Sequence, residues 1–432
     1  MTPVPLDLPL RPSEAAELAG LIFESAERKP LTDEVRNRVA ARAAALHFET
    51  ITPHFGSLER DPVHHSTYYV AVDVPEGLPL LLHLALATAP TSSIFHKPLL
   101  IGRMRRALGP EIVINAIPFG ATDADTLEKF VTHIDKTFLP RPHGSRTTIV
   151  AGMQAAASGP AGAFDAFRRI WKRTGRNVAS IGAEGEVPAS VVYYNSLWAA
   201  IRSGWRDGYS TVARIAPPFE SAKDSIREAA LFSTFVFDPA TVVRRVEGQT
   251  ETAINQIFET SFPAEERGWI FDEFVRTFNT GELAYELTPA DALSLAVQFG
   301  EGLLLGERVH NQIRQTRSAL KINRPFDFEL ALDRVPTGTT PRELIFCLQW
   351  LKARGHAVQL AAPNLQAASE PGVRELAAIC RHFQCGMDFS ASDSAAQLET
   401  VARASAGRFT CSLWGTHSGA AAIEHVAESL LG

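Results

Sequence analysis

A group of acidic residues stands in one apolar run of the chain. The run Phe326–Arg334 carries Asp327, Glu329 and Asp333, which are separated by two and four residues. Side chains alternate along a strand, so this spacing predicts that all three carboxyl groups point to one side. Buried carboxylates need cations or a metal ion, whereas close ones can share a proton. The alternative is an edge strand with one face in water. We take Glu329, Asp333 and Asp238 as candidate catalytic residues, with Glu329 or Asp333 as the general base.

Two arginines lie where apolar runs end, Arg214 in one run and Arg334 after another. An arginine at such a place must meet water, a protein carboxylate or an anionic ligand, because unpaired burial is costly. As ligand contacts, the two guanidinium groups would clamp a carboxylate through bidentate hydrogen bonds. The alternative is a lattice with Asp238, Glu329 and Asp333 that only holds the structure together.

Two loops near the end of the chain are rich in hydroxyl side chains and glycine. Leu413–Gly419 and Phe389–Ser394 each precede a predicted helix. Free backbone N–H groups at a helix N-terminus can bind an anion, although serine, threonine and aspartate also cap helices without any ligand. These loops supply the remaining predicted substrate-binding residues: Ser390, Ser392, Asp393, Thr416 and His417.

The motifs of other common sites are missing from the sequence. No H-E-x-x-H motif and no Cys/His finger spacing occurs, and His64-His65 is a lone doublet whose side chains would face opposite ways on a strand. The chain also lacks a P-loop, a nucleophile elbow and the dinucleotide-binding glycine pattern.

The elements that carry these residues alternate regularly after a proline-rich break at residues 140–144. Apolar strand-like runs, each followed by a helical pattern, repeat eight times over about 285 residues, the count and size of a (β/α)8 TIM barrel. A doubly wound open sheet is the competing interpretation. In a barrel, the candidate residues would meet at the carboxyl ends of the strands. The predicted strands are Thr147–Met153, Val178–Ile181, Thr211–Ile215, Phe232–Phe237, Phe326–Leu332, Ala357–Ala361, Gly386–Phe389 and Phe409–Leu413.

The rest of the chain adds two parts to this barrel. Residues 1–145 predict an α/β region with helices at 13–27, 33–46 and 123–138 and strands at 67–74, 80–87 and 111–117. The predicted barrel covers residues 146–432, with a helical insertion at about 251–320, after its fourth strand. The size of this insertion makes a homo-oligomer plausible.

Composition excludes several classes of protein. With 42 basic and 48 acidic residues the net charge is −6, which argues against a dedicated nucleic-acid binder. No run approaches the ~20 apolar residues that span a membrane, and no signal peptide is evident. The four cysteines contain no C-x-x-C pair. We therefore expect a cytoplasmic protein with a small-molecule ligand and neither a nucleic-acid nor a membrane partner.

The second half of the chain resembles a known family. The run Phe326–Glu329, Asp333 and the turn Gly338–Pro341 look like the signature strand and turn of the tagaturonate (fructuronate) epimerase family. Further similar segments extend the resemblance over about residues 190 to 432: 197–209, 235–239, 344–363, 392–409 and 415–416. The resemblance implies a barrel that epimerises keto-hexuronates at C4 with a bound divalent metal.

The chain departs from the family at the positions that matter for the metal. Phe389 replaces a histidine, and Arg214 lies in the segment where the family has aspartate and histidine. Arg334 stands where an acid is expected, and Thr410 and Ser412 replace histidine and lysine. Because arginine and phenylalanine cannot ligate a metal, we predict no tightly bound catalytic metal at the family position and no other cofactor.

Three functions remain open at this point. The first is an isomerase of carbohydrate metabolism, a keto-hexuronate epimerase that interconverts fructuronate and tagaturonate or acts on a related polyhydroxy carboxylate. The second is a carbohydrate-binding relative without catalysis, which kept the barrel and lost the site. The third is a metal-independent sugar-phosphate enzyme that uses the glycine-rich loop at 415–419.

Overall fold

The structure of the protein is a computed structural model. It describes residues 9–26, 30–75, 78–89, 94–95, 98–153, 161–183, 187–281, 283–366, 368–390, 395–413 and 419–431. Two compact units are present, the first formed by residues 1–139, 159–164 and 194–208 and the second by the remainder. The division of the chain at 145/146 stays a prediction. In the described part of the chain, no helix is long and apolar enough to cross a membrane.

The first unit is built on a five-stranded antiparallel sheet with the strand order β1-β2-β3-β5-β4. Helices α1 and α2 pack with this sheet, and Leu18, Ile22 and Phe23 of α1 share a core with Val70 and Val72 of the sheet. The elements are α1 (Pro12–Ala26), α2 (Asp33–Ala43), β1 (Thr52–Arg60), β2 (Thr67–Val74), β3 (Leu78–Leu86), β4 (Leu99–Met104), β5 (Ile112–Pro118) and α3 (Ala124–Lys129).

Three details of this unit differ from the sequence prediction. Strands β1 and β4 were not predicted, since Pro53 and Gly56 interrupt the first and the second is a short edge strand with a bulge near Gly102. The predicted helix at 123–138 is an α-helical stretch followed by a π-helical turn, Phe130–Ile134, and a 3-10 turn, Lys136–Phe138.

The second unit contains a closed barrel of eight parallel strands, which confirms the TIM barrel and excludes the open sheet. Each barrel strand is buried at all or all but one of its residues, which explains the largely apolar runs in the sequence. In chain order they are β6 (Thr148–Met153), β7 (Ala179–Ala183), β8 (Ser210–Ile215), β9 (Thr234–Phe237), β12 (Asp327–Ala331), β13 (Leu360–Ala362), β14 (Gly386–Ser390) and β15 (Phe409–Leu413).

Helices follow the strands as predicted, and the insertion lies after the fourth barrel strand. The helices are α4 (Ala161–Thr174), α5 (Ala189–Ser203), α6 (Phe219–Glu228), α10 (Pro341–Ala353), α11 (Glu370–His382), α12 (Ala395–Ala404) and α13 (Ala420–Leu431). The insertion contains α7 (Glu251–Ser261), α8 (Ala264–Phe274), the hairpin of β10 (Thr277–Asn279) and β11 (Ala284–Glu286), and the long α9 (Pro289–Ala319). Capping boxes at Thr288 and Thr340 fix the starts of α9 and α10.

The barrel interior has one apolar layer and several polar pairs. Val150, Val212, Val236, Ala331 and Ala362 form the apolar cluster. Nearer the start of the strands, hydroxyl groups bond to each other across the barrel strands, as in Thr148–Thr410 at 2.8 Å and Ser210–Ser180 at 2.7 Å. These pairs satisfy buried polar atoms, so the polar chemistry left for a ligand lies toward the carboxyl ends.

Candidate active site

Arg214 ties together the ends of three neighbouring barrel strands. It is the fifth residue of β8, and its Nη1 donates to Asp238 Oδ2, directly after β9, at 2.6 Å. Its Nη2 donates to Asp333 Oδ2, beyond the end of β12, at 2.9 Å. Burial alone would lower the pKa of Arg214, but the two carboxylates outweigh that effect and raise it. The predicted lattice of an arginine with carboxylates is therefore present, and both ends of this guanidinium are engaged.

Asp238 and Asp333 differ in how open they are to a ligand. The Asp238 side chain is only 6% exposed, and its Oδ1 also accepts a bond of 3.0 Å from the backbone N–H of Ala240. The Asp333 side chain is 33% exposed. Arg214 Nη1 also lies 3.3 Å from Asp333 Oδ1, so the protein bonds both oxygens of each carboxylate. The difference between them is exposure, which leaves Asp333 open to a molecule at the barrel mouth.

Arg334 is the accessible cation of this mouth. Its side chain is 64% exposed, and its ion-pair contact is a long one, 3.7 Å from Nη1 to Asp238 Oδ2. Arg214, by comparison, is 20% exposed and makes short bonds. The two arginines that the sequence treats alike are therefore different in the structure: Arg214 is committed to the protein and Arg334 is available to an anion.

Below the mouth, two carboxyl groups bond to each other inside the barrel. Glu329 of β12 is 1% exposed and Asp388 of β14 is 8% exposed. Their side chains are hydrogen bonded, which requires one of them to carry a proton. Ser412 Oγ lies 3.2 and 3.1 Å from the two oxygens of Asp388. Glu329 Oε1 has no hydrogen-bond partner in the described part of the chain.

This environment raises the pKa values of both acids. Burial raises the pKa of Asp388 to about 7, and burial together with the neighbouring Asp388 raises the pKa of Glu329 well above its usual value. Asp333 adds to the repulsion at both groups. At neutral pH the pair therefore holds a proton, so Glu329 is a poor general base and a better acid.

Asp327 lies apart from Glu329 and Asp333 in the barrel. Asp327 is the first residue of β12, and its Oδ2 accepts a bond of 2.7 Å from the backbone N–H of Gly144. It therefore lies at the amino end of the strand, away from the mouth. Asp327, Glu329 and Asp333 lie at different heights along the barrel axis, because β12 begins at Asp327 and ends at Ala331, before Asp333.

Several predicted ligand-binding residues cannot be placed. Ser392 and Asp393, and likewise Thr416 and His417, lie outside the described residues. Ser390 is the last residue of β14, half-buried and in register with Ser412.

The residue that the sequence analysis missed is Asp388. The predicted strand Gly386–Phe389 places Asp388 inside the strand, whereas the candidate residues are expected at the carboxyl ends of strands. Alternation supplies the signal that would have found it, since Asp388 lies two residues before Ser390 and faces the same side of the strand. Ser412, noted only as a departure from the family, proves to be the hydrogen-bond partner of Asp388.

The described residues do not fit the divalent metal that the resemblance implies. Among them, no group of three or more histidine, cysteine, aspartate or glutamate side chains is placed to hold a metal ion. The two carboxylates at the mouth are bound by Arg214, and the two below are bound to each other. This donor set is matched to guanidinium groups and a proton.

The fold is a (β/α)8 barrel, and at the carboxyl ends of its strands Arg214 pairs with Asp238 and Asp333. No protein-family model and no curated protein matches the chain. The chain is similar to solved structures of the fructuronate-tagaturonate epimerase from Cohnella laeviribosi. The complex with two glycerol molecules is 17% identical with a TM-score of 0.64, covering 89% of this chain and 75% of that chain. The native structure is 17% identical with a TM-score of 0.63, covering 87% and 74%. This likeness shows the fold, and it agrees with the resemblance seen in the sequence.

Proposed function

We propose that the protein is a sugar-acid epimerase that acts on a keto-hexuronate or a related polyhydroxy carboxylate. One observation carries the proposal: at the carboxyl end of the barrel, Asp238 and the partly exposed Asp333 both pair with Arg214, and the exposed guanidinium of Arg334 lies 3.7 Å from Asp238 Oδ2. A sugar acid offers the matching groups, a carboxylate for the arginine and hydroxyls for the aspartate. A solved structure with a similar fold is a fructuronate-tagaturonate epimerase, which supports the same substrate class.

The proposed reaction breaks and remakes the C3–C4 bond of a 2-keto sugar acid. Asp333 accepts the proton of the C4 hydroxyl, and the electron pair of the C3–C4 bond moves into an enediolate over C2 and C3. The aldehyde formed at C4 turns, and the enediolate adds to its other face while Asp333 returns the proton to the new hydroxyl. Arg334 holds the substrate carboxylate through both steps, so the aldehyde fragment stays bound while it turns.

The other described residues position this pair. Arg214 is assigned to fixing Asp333, because its guanidinium is engaged by two protein carboxylates. Asp238 anchors Arg214, and the proton between Glu329 and Asp388 lowers the negative charge beneath Asp333. Substrate contacts by Ser390, Ser392, Asp393, Thr416 and His417 remain predictions.

A second candidate function is a carbohydrate-binding relative without catalysis. It is favoured by the bidentate pairing of Arg214 with Asp333, since both oxygens of Asp333 already accept hydrogen bonds from the protein. The sugar-phosphate enzyme depends on the loop 415–419, of which 415–418 lie outside the described residues.

The test is incubation of the protein with fructuronate and with tagaturonate in D2O, followed by NMR of the C4 proton. Conversion with retention of the C4 proton supports the proposed cleavage, and deuterium at C4 would contradict it. Arg334→Gln should abolish conversion, whereas Arg227→Gln should not, because Arg227 is a 76% exposed arginine on α6.

Binding separates the two candidate functions. Sugar-acid binding that Arg334→Gln removes, without conversion by the wild type, would support the carbohydrate-binding relative. The absence of both sugar-acid binding and conversion would refute both candidate functions.

A further inference from the structure

An open cavity, here called the groove, lies outside the set of residues that form the barrel mouth. It measures about 900 Å³ and is bounded by the start of α6, the segment after β9, the turn between α7 and α8, and the middle of α9. Part of its wall is apolar, formed by Phe219, Val242, Phe262, Leu304 and Leu305, and the rest includes the hydroxyl residues Thr241, Thr260 and Ser261. This volume is in the range of ligand pockets for small organic molecules. Because Arg214, Asp333 and Arg334 do not line it, a molecule bound there would not occupy the proposed active site.

The charged side chains of this groove leave one positive charge over. Arg244 pairs with Glu301 at 2.7 Å, and Arg308 is the third charged lining residue. The guanidinium of Arg308 lies over the Phe219 ring, 4.1 Å from its centroid. No carboxylate of the described residues lies within ion-pair distance of Arg308. The groove thus combines an apolar wall with a cation that the protein does not neutralise locally.

One wall of the groove is the segment that follows Asp238. Thr241 and Val242 line the cavity, and Ala240 donates its backbone N–H to Asp238. Helix α9 packs closely on this segment, since a Cβ added at Gly302 would stand 3.0 Å from Cβ of Pro239. The position of this wall is therefore well defined, and the cavity has a fixed shape on this side.

We infer that this groove is a binding site for a small organic anion with an apolar body, such as an aromatic or aliphatic carboxylate. The apolar body would lie against Leu304, Leu305 and Phe262, and the anionic group would meet Arg308. The part of the wall formed by Leu304, Leu305 and Phe262 has no side-chain hydrogen-bond partner for a hydroxyl group, so an apolar body is the better match there. The site is independent of the proposed catalytic function.

The test is a fluorescence titration of the full chain with anilinonaphthalene sulfonate, an apolar anion, and with phenylnaphthylamine, its uncharged counterpart. Arg308→Gln should weaken sulfonate binding by about fivefold or more and change binding of the uncharged probe by less than about twofold. Leu305→Ser should weaken both. Arg227→Gln is the matched control, an exposed arginine on the neighbouring part of α6, and should change neither.

Two results would overturn the inference. The first is unchanged sulfonate binding in both Arg308→Gln and Leu305→Ser, which would place the probe elsewhere. The second is an equal loss in Arg308→Gln and Arg227→Gln, which would mean that only the general surface charge matters. Thermal unfolding of each variant shows that it is folded, and because Arg308 is exposed its replacement leaves the fold intact. Failure of either candidate function of the barrel mouth would leave these outcomes unaffected.

Discussion

Replacement of Arg214 by alanine should destabilise the barrel strongly. The change leaves Asp238, 6% exposed, without its cation, and breaking a buried ion pair costs about 3–5 kcal/mol. Asp333 is 33% exposed, so water screens its charge and its loss of a partner adds at most about 1 kcal/mol. We expect a loss of about 3 kcal/mol in the free energy of unfolding. For a unit of this size that lowers the unfolding temperature by about 5–10 °C.

The assay is thermal unfolding followed by circular dichroism, with two comparison variants. Arg227→Ala removes an exposed arginine whose partner, Asp224, is also exposed, and should change the free energy of unfolding by less than about 0.5 kcal/mol. Adding Asp238→Asn to Arg214→Ala removes the uncompensated charge and should recover part of the loss. A variant Arg214→Ala as stable as Arg227→Ala, but unable to bind a sugar acid, would refute the lattice and make Arg214 a ligand contact.

Two further predictions concern groups whose protonation the fold controls, and a third concerns the metal content of the protein. His310 and His356 are buried with Nδ1 atoms 3.1 Å apart, and burial lowers the pKa of His310 to about 4. The folded state keeps His310 neutral, whereas the unfolded chain takes up a proton below about pH 6.5. The free energy of unfolding should therefore fall by at most about 3 kcal/mol between pH 6.5 and pH 4. Unfolding by urea across this range measures the effect, and His310→Gln should flatten the profile. The raised pKa values of Glu329 and Asp388 act in the opposite direction, because the folded state holds more protons than the unfolded chain. Stability from this pair should therefore fall as the pH rises from about 4 through 7, and Asp388→Asn should remove most of that slope. Elemental analysis of protein purified without chelator should find no stoichiometric transition metal, and a bound one would show that residues outside the described part complete a site.

Much of the barrel could be predicted because its strands are buried on both faces. The predicted run Phe409–Leu413 matches β15 residue for residue, and Thr147–Met153 matches β6 to within one residue. Continuous apolar runs of this length separated by helical patterns have few other interpretations. Strands β1 and β4 lacked that signal, because each contains a helix- or strand-interrupting residue or lies at a sheet edge.

The site was predictable in its residue types and not in its pairing. The sequence indicated that Arg214 would need Asp238, Glu329 or Asp333 as a partner. Which of them it meets depends on how far neighbouring strands are staggered when the barrel closes, and that stagger has no local signature. The protonation of Glu329 depends in the same way on Asp388, which is 59 residues further along the chain and is brought beside it only by the closed barrel.

The charges of the described strand ends balance one another without a divalent cation. A divalent cation of the kind that the resemblance implies would bring two positive charges to the strand ends. Here the guanidinium of Arg214 supplies one, and the proton shared by Glu329 and Asp388 supplies the second. Both are held by carboxylates that would otherwise repel one another. Arg334 is then left over, exposed and bound only weakly to Asp238, so it is the cation that can be given to a ligand.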